Sequence, residues 1–450
     1  MQLKQALNVQ RGEMVAFVGA GGKTSALFRL GAELAADGWR VVGTTTTRIA
    51  ASELLNAPGV LAIGSSLRPE AISRALNEHN FIFLYSHIAG DKAIGLSAEA
   101  ISTLADAVDS DVTLIEADGA RRLPFKAPYL HEPVIPIGTS LVVPTVGLDV
   151  LGQPLDDEHV YNSAAMIDQF GYVPGERVKA PWVASVLRDE ELGLKGIPDS
   201  ARVLPLINKV PRNGYQRGRA RLIAWLTLRS TRIQGVALGA MQAADPVYEV
   251  RRRVAAIVLA GGLSSRMGEF KVLLPWDNRP VLNTILERLR NARLDETVVV
   301  TGHHGDRVRA AIVKEGVRHA HNADYKEGDM LSSLQTGIRA LSPEIAACLI
   351  VLGDQPQIDT RVINDVLAAY AEGRGPIVAP SYRQRRGHPI LIDRMYWPEL
   401  LDLPRGGAPR DVINAHADEI AYVNVDNDSI LRDIDTPDDY LRERRLAGLA

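Results

Sequence analysis

The tightest constraint on this chain is the apolar run from Val254 to Leu259, which stops abruptly at Gly261-Gly262 and continues through Ser264, Ser265, Arg266, Gly268 and Lys271. An apolar run of this length reads as a buried strand. Glycines 261 and 262 allow a sharp turn at its end and let backbone N–H groups come close to a ligand. Leu259, Ala260, Gly261 and Gly262 then supply backbone, Ser264 and Ser265 supply hydroxyl donors, Arg266 a rigid five-donor fork and Lys271 a mobile point charge. The stretch predicts an anion site at a strand end. Neither G-x-G-x-x-G nor G-x-x-x-x-G-K-[ST] is present in it, and a glycine turn with solvated basic residues is the plain structural alternative.

A second strand–glycine–helix unit lies near the N-terminus. Val15 to Val18 lead into GAGGKT, an apolar pattern at helical spacing runs to Asp37-Gly38, and Val41-Val42 begin the next strand. Gly19, Gly21 and Gly22 predict a nest of N–H groups at a helix start, with Lys23 reaching bound phosphates and the Thr24 hydroxyl holding Mg²⁺, or else a purely structural turn. Phe17 stands where the first glycine of a Walker loop belongs. Thr44 to Thr47 are expected to add hydroxyls facing the nucleotide or a metal. In VTLIEADGA, Glu116 and Asp118 share one side if the strand runs that far, where they could bind Mg²⁺ or orient water, or be an edge carboxylate and a turn aspartate. Arg121, Arg122 and Lys126 follow, facing an anionic substrate or solvent. Asn208-Lys209 ends a later apolar run, as a base-reading corner or an ordinary turn.

With 450 residues, 46% of them hydrophobic, the chain can bury more than one core. The polar stretch MQAADPVYEVRRR separates the two glycine-loop regions and predicts domains over 1–245 and 252–450. A formal charge of -3 gives no overall basic field for nucleic acid. The single cysteine, Cys348, lies in an apolar run and reads as a buried thiol, unable to form an internal disulfide. No run approaches the roughly 20 residues of a membrane span and no apolar leader opens the chain, so a cytoplasmic protein with no membrane or nucleic-acid partner is expected.

The second half adds three polar constellations. Ser332 and Ser333 stand at the start of an apparent helix, where they could read a base or ribose or simply cap. ACLIVLGD carries Asp354 to the C-terminal edge of the sheet, where open α/β sheets bind ligands. Asp433 and Asp435 precede Thr436-Pro437. Asp354 and Asp435 together would hold Mg²⁺ at a nucleotide's phosphates. His388, between Gly387 and Pro389, is a candidate substrate contact or a structural histidine.

As a set, GAGGKT, the TTTT run, IEADGA, VGLDVLGQP and LINK resemble the YqeC-like family, accessory proteins of selenium-dependent molybdenum hydroxylases, over residues 8–243. The order LAGGLSSRMG, Lys271, LSSLQTG, GDQP, GHP and DIDTPDD resembles the molybdopterin nucleotidyltransferases of the MobA-like NTP transferase family, especially the molybdenum cofactor cytidylyltransferases, over residues 253–445. The resemblances imply two α/β domains: an N-terminal P-loop-like nucleotide-binding domain and a C-terminal Rossmann-like nucleotidyltransferase domain. They imply transfer of CMP from CTP to molybdopterin or its molybdenum form, with Mg²⁺ on Asp354 and Asp435 and the phosphates on Arg266 and Lys271. A second nucleotide in the N-terminal domain and an acceptor molybdoenzyme are implied partners. LAGG in place of LAAG is shared with the guanylyltransferases, which leaves GTP open beside the favoured CTP. A sugar-phosphate nucleotidyltransferase and a non-catalytic cofactor carrier or insertion factor remain alternatives.

Overall fold

The computed structural model describes residues 1–64, 68–262, 267, 269–312, 316–326 and 330–449. The chain divides into two compact units, Met1–Arg251 and Arg252–Ala450. Each is an α/β unit built around a largely parallel sheet flanked by helices.

In unit 1 the central strand is β1 (Glu13–Gly19), followed by helix α1 (Lys23–Ala36), β2 (Val41–Thr45), β3 (Gly59–Ala62), β4 (Phe81–Tyr85), β5 (Val112–Glu116), β6 (Leu141–Gly147), β7 (Arg202–Val203) and β8 (Leu206–Asn208). Helix α2 (Tyr215–Thr227), β9 (Val236–Gly239) and β10 (Val247–Arg251) complete it. The strand order is β10-β9-β8-β6-β1-β5-β2-β4-β3, with β7 on β6. Strand periodicity divides β1 between two cores: Val15 and Phe17 pack with Leu27, Leu30 and Leu34 of α1, and Ala16 and Val18 face the opposite layer.

The segment expected to be a boundary holds more structure than its polar composition suggests. Residues 247–251 form β10, antiparallel to β9 at the sheet edge. Glu249 is fully buried there and meets Arg217, Arg221 and Arg251. Arg217 and Arg221 are four apart on α2, hence on one helix face. A buried charge held by partners distant in sequence leaves no trace in hydrophobic periodicity.

In unit 2 the strands are β11 (Val254–Ala260), β12 (Glu296–Thr301), β13 (Arg318–His321), β14 (Ala347–Leu352), β15 (Ile377–Tyr382), β16 (Arg385–Arg386), β17 (Ile390–Asp393) and β18 (Ile420–Asn424), with α3 (Met330–Ala340) and α4 (Pro437–Leu446) among the helices. Their order is β13-β12-β11-β14-β17-β15-β16, with β18 on β15. Strand β11 lies between parallel neighbours β12 and β14, so its apolar run is buried on both faces. Helix α3 packs closely because residue 337 is glycine: a Cβ there would meet Ile257 Cγ2 at 2.4 Å. Cys348 is buried in β14, and burial pushes its thiol up to about 12.

Candidate active site

The C-terminal ends of β11 and β14 open into a cavity of about 400 Å³ in unit 2. Leu259, Ala260, Gly261 and Gly262 line it, and Gly353 and Asp354 line it from the neighbouring strand end. Gly353 is dictated by close approach, since a Cβ would stand 2.7 Å from the Leu259 carbonyl oxygen. Lys271 Nζ donates to Asp354 Oδ2 and, at 3.3 Å, to Asp435 Oδ1. Two carboxylates 81 residues apart in sequence thus converge on one ammonium group. Burial works against the charged lysine, but Asp354 and then Asp435 hold it above its ordinary value.

Asp433 lines the cavity, whereas Asp435 reaches it through Lys271. Gln355 Nε2 donates to Asp433 Oδ1 at 2.7 Å. Burial, followed by the neighbouring Asp354, raises the Asp433 carboxyl above the usual carboxylate range. Opposite, Ser333 lines the cavity, and Asn322 Nδ2 donates to both Ser332 Oγ (2.9 Å) and Ser333 Oγ (3.1 Å). Tyr325 and Lys326, which sequence reasoning did not single out, stand on the same side. Their only signal was position after a short strand. Ser264, Ser265 and Arg266 lie outside the described residues.

His388 does not line this cavity. Its backbone N–H donates to the Ile430 carbonyl at 3.2 Å, and burial, with Arg386 nearby, lowers its imidazole to about 4. At neutral pH the ring is uncharged, so it can meet a phosphate only as a hydrogen-bond donor.

The residues present fit a divalent cation. Mg²⁺ is characteristically held by one or two carboxylates plus substrate phosphates, so it needs no complete protein cage. Asp354 and Asp435 already converge on a single cationic atom. Among the described residues, no group of three or more His, Cys, Asp or Glu could hold a metal ion by itself.

In unit 1 the loop after β1 makes different contacts from those expected. Gly19 N–H donates to Asp118 Oδ2 (2.9 Å) and Gly21 N–H to the Leu123 carbonyl (3.0 Å), so two of the expected nest donors are spent internally. Residue 21 must be glycine: its φ is +78°, and a Cβ would stand 2.1 Å from Gly147 N. Lys23 is buried, donates to the Gly19 carbonyl at 2.6 Å, and lies 3.1 Å from Asp118 and 3.8 Å from Glu116. Burial opposes its charge, yet Asp118 and then Glu116 raise its pKa.

β5 ends at Glu116, so Glu116 and Asp118 are not on one strand face, and they meet instead at the Lys23 ammonium. Glu116 accepts the Thr24 hydroxyl at 2.7 Å, and burial raises its carboxyl. Asp118 is shared by Lys23 and Lys126, each at 3.1 Å. Lys126 is neither solvated nor substrate-facing: it is buried against Asp118 and Glu132. The threonines are also corrected, since Thr44, Thr45 and Thr46 donate to the carbonyls of Leu84, Glu116 and Val134. Asn208 spends its amide inside the fold, donating to the Gly21 carbonyl and accepting from Met241 N–H, which makes it a brace for the glycine loop.

The fold and the strand-end site define a protein of two α/β domains, the second a Rossmann-like nucleotidyltransferase domain. The YqeC protein family model matches residues 15–164, and the MobA-like NTP transferase domain model matches residues 256–420. YqeC of Escherichia coli (strain K12) is 33% identical over 200 residues, 44% of this chain and 77% of that protein. The chain belongs to the YqeC family through its first unit and carries a MobA-like NTP transferase domain in its second. The molybdenum cofactor cytidylyltransferase of Escherichia coli (strain K12) is 28% identical over 186 residues, 41% of this chain and 92% of that enzyme. Among solved structures, Rv0371c from Mycobacterium tuberculosis H37Rv is 26% identical, covering 43% of this chain and 98% of its own, with a TM-score of 0.39. Among the described residues, no helix is long and apolar enough to cross a membrane.

Proposed function

We propose that unit 2 transfers CMP from CTP to the terminal phosphate of molybdopterin or its molybdenum form and releases pyrophosphate. The observation that carries this reading is the convergence of Lys271, Asp354 and Asp435 beside the Leu259–Gly262 backbone, in a domain related to a cytidylyltransferase. The acceptor phosphate oxygen attacks the α-phosphorus in line, and the bond to the pyrophosphate oxygen breaks. The nucleophile is already anionic, so no residue need remove a proton; the chain must align two negative groups and neutralise charge as it builds. Lys271 supplies a fixed positive charge for this, and Arg266 is proposed to share it. The N–H groups of Gly261 and Gly262 face the phosphates, and Ser332 and Ser333, steadied by Asn322, face the nucleoside. Mg²⁺, when held by Asp354 and Asp435, supplies further charge neutralisation at the phosphates.

GTP in place of CTP is supported by the LAGG sequence at 259–262. The deciding experiment is anaerobic incubation of the full chain with molybdopterin, Mg²⁺ and either CTP or GTP, followed by mass identification of the dinucleotide. A cytidine dinucleotide is expected. A guanine product reverses the nucleotide assignment, and transfer to a sugar phosphate in place of the pterin removes the acceptor assignment. The product would serve an acceptor molybdoenzyme in the same cytoplasmic setting.

A further inference from the structure

We propose that Lys271 is an exchangeable counter-ion: in the nucleotide-free protein it takes the place of the divalent cation on Asp354 and Asp435, and it yields that place only when a nucleotide's phosphates enter. On the transferase reading above, from which this follows, Lys271 neutralises phosphate while Asp354 and Asp435 hold Mg²⁺. In the structure these three groups are spent on one another. The Lys271 ammonium donates to Asp354 Oδ2 and, at 3.3 Å, to Asp435 Oδ1, so it engages one oxygen of each carboxylate. Both roles are met only after this contact opens.

The local charge balance keeps the contact closed. Asp354 and Asp433 line the cavity, and Asp435 joins them through Lys271, so three carboxylates gather at one strand end. Gln355 satisfies an oxygen of Asp433 without neutralising it. The side chains of Lys271 and Asp354 are only 19% and 14% exposed, so solvent and salt screen them poorly. Carboxylates this close repel one another, and the ammonium supplies the compensating charge.

A divalent cation arriving alone meets an ammonium already on both carboxylates and is repelled by it. Arrival with a nucleotide changes the balance, because the phosphates give the lysine a second anionic partner. Ammonium then pairs with phosphate, and the cation pairs with the carboxylates. Lys271 suits this exchange. Its backbone is held in the short helical turn Lys271–Leu273, between the buried side chains of Phe270 and Val272. Its flexible four-carbon stem lines the same cavity as the Leu259–Gly262 backbone, so the ammonium can pivot there with the main chain held. Mg²⁺ therefore enters with the nucleotide and not before it.

The test is Mn²⁺ titration of the full chain without nucleotide, read by the electron paramagnetic resonance signal of unbound Mn²⁺. Wild type should bind weakly, and Lys271→Met should bind roughly tenfold more tightly or better, because the competing charge is gone. Adding Asp354→Asn to Lys271→Met should abolish the gain, which separates it from binding to a disturbed chain. Lys271→Arg, whose guanidinium still spans the two carboxylates, should bind as weakly as wild type. Lys326→Met removes an equal charge from the same cavity and should also bind as wild type does. Equal affinity in wild type and Lys271→Met overturns the exchange. Tight binding by Lys271→Arg, or an equal gain in Lys326→Met, overturns it by making the effect one of general charge or side-chain size. A gain that survives Asp354→Asn overturns it by placing the ion elsewhere. No titration contains CTP or a pterin, so failure here is distinguishable from failure of the dinucleotide assay.

Discussion

Glu249 offers the most quantitative test of how unit 1 is held together. Its side chain is 0% exposed, and its carboxylate accepts from Arg221 Nε at 2.8 Å, from Arg251 Nε at 2.8 Å and from Arg217. Burial acts against the charged form, but Arg251, Arg221 and Arg217 together bring the carboxyl down from 4.5 to about 2. That difference corresponds to about 3 kcal/mol in favour of the folded, ionised state. Glu249→Gln removes it and leaves three guanidinium groups facing a neutral amide, so the expected loss near pH 7 is about 3 kcal/mol, in the range for breaking a buried ion pair. The measurement is hydrogen exchange of the β9, β10 and α2 amides, which reads the stability of this region separately from unit 2. Exchange limited by opening should accelerate by roughly a hundredfold. The sign of the pH effect follows from the depressed folded value: the stabilisation is present above 4.5 and disappears as pH falls towards about 2. Wild type should therefore converge on the variant over that interval. Equal exchange at pH 7, or a difference unchanged down to pH 2, would refute the reasoning.

Three further outcomes are expected. Asp354→Asn should reduce pyrophosphate release by roughly a hundredfold or more while circular dichroism stays unchanged, as for loss of a group that positions the cations stabilising transition-state charge; near wild-type turnover at saturating Mg²⁺ would remove its assigned role. Asp435→Asn should lower turnover more than Asp433→Asn, although Asp433 lines the cavity, because Asp435 shares Lys271 with Asp354; metal titrations in the reverse order exchange the two assignments. His388, lowered to about 4 from 6.5, should make unit 2 less stable as pH falls through that interval, because unfolding lets the imidazole take up a proton; His388→Gln should flatten this limb in a urea-denaturation series, and an unchanged slope would count against its burial as the cause.

The sequence by itself determined the parts that depend on local repetition. Apolar runs such as Val254–Leu259 are continuous and glycine-terminated, so they specified buried strands and the point at which each sheet opens to a ligand. The order of short motifs was equally legible, because loops at strand ends are continuous in sequence, and it carried the family of each half. Cys348 was readable for the same reason, since its run is buried on both faces of the sheet and any residue within it is covered whichever way it points. The tertiary structure decided which charges meet. Lys271 joins Asp354 and Asp435 across 83 and 164 residues, and no local pattern encodes that distance. It also turned Lys126, Asp118, Thr44 to Thr46 and Asn208 into the fold, where desolvated polar groups must find partners, and pinned residues 247–251 to the sheet through Glu249. Periodicity reports how a segment is buried; long-range packing sets which charged group is consumed internally and which is left facing a ligand.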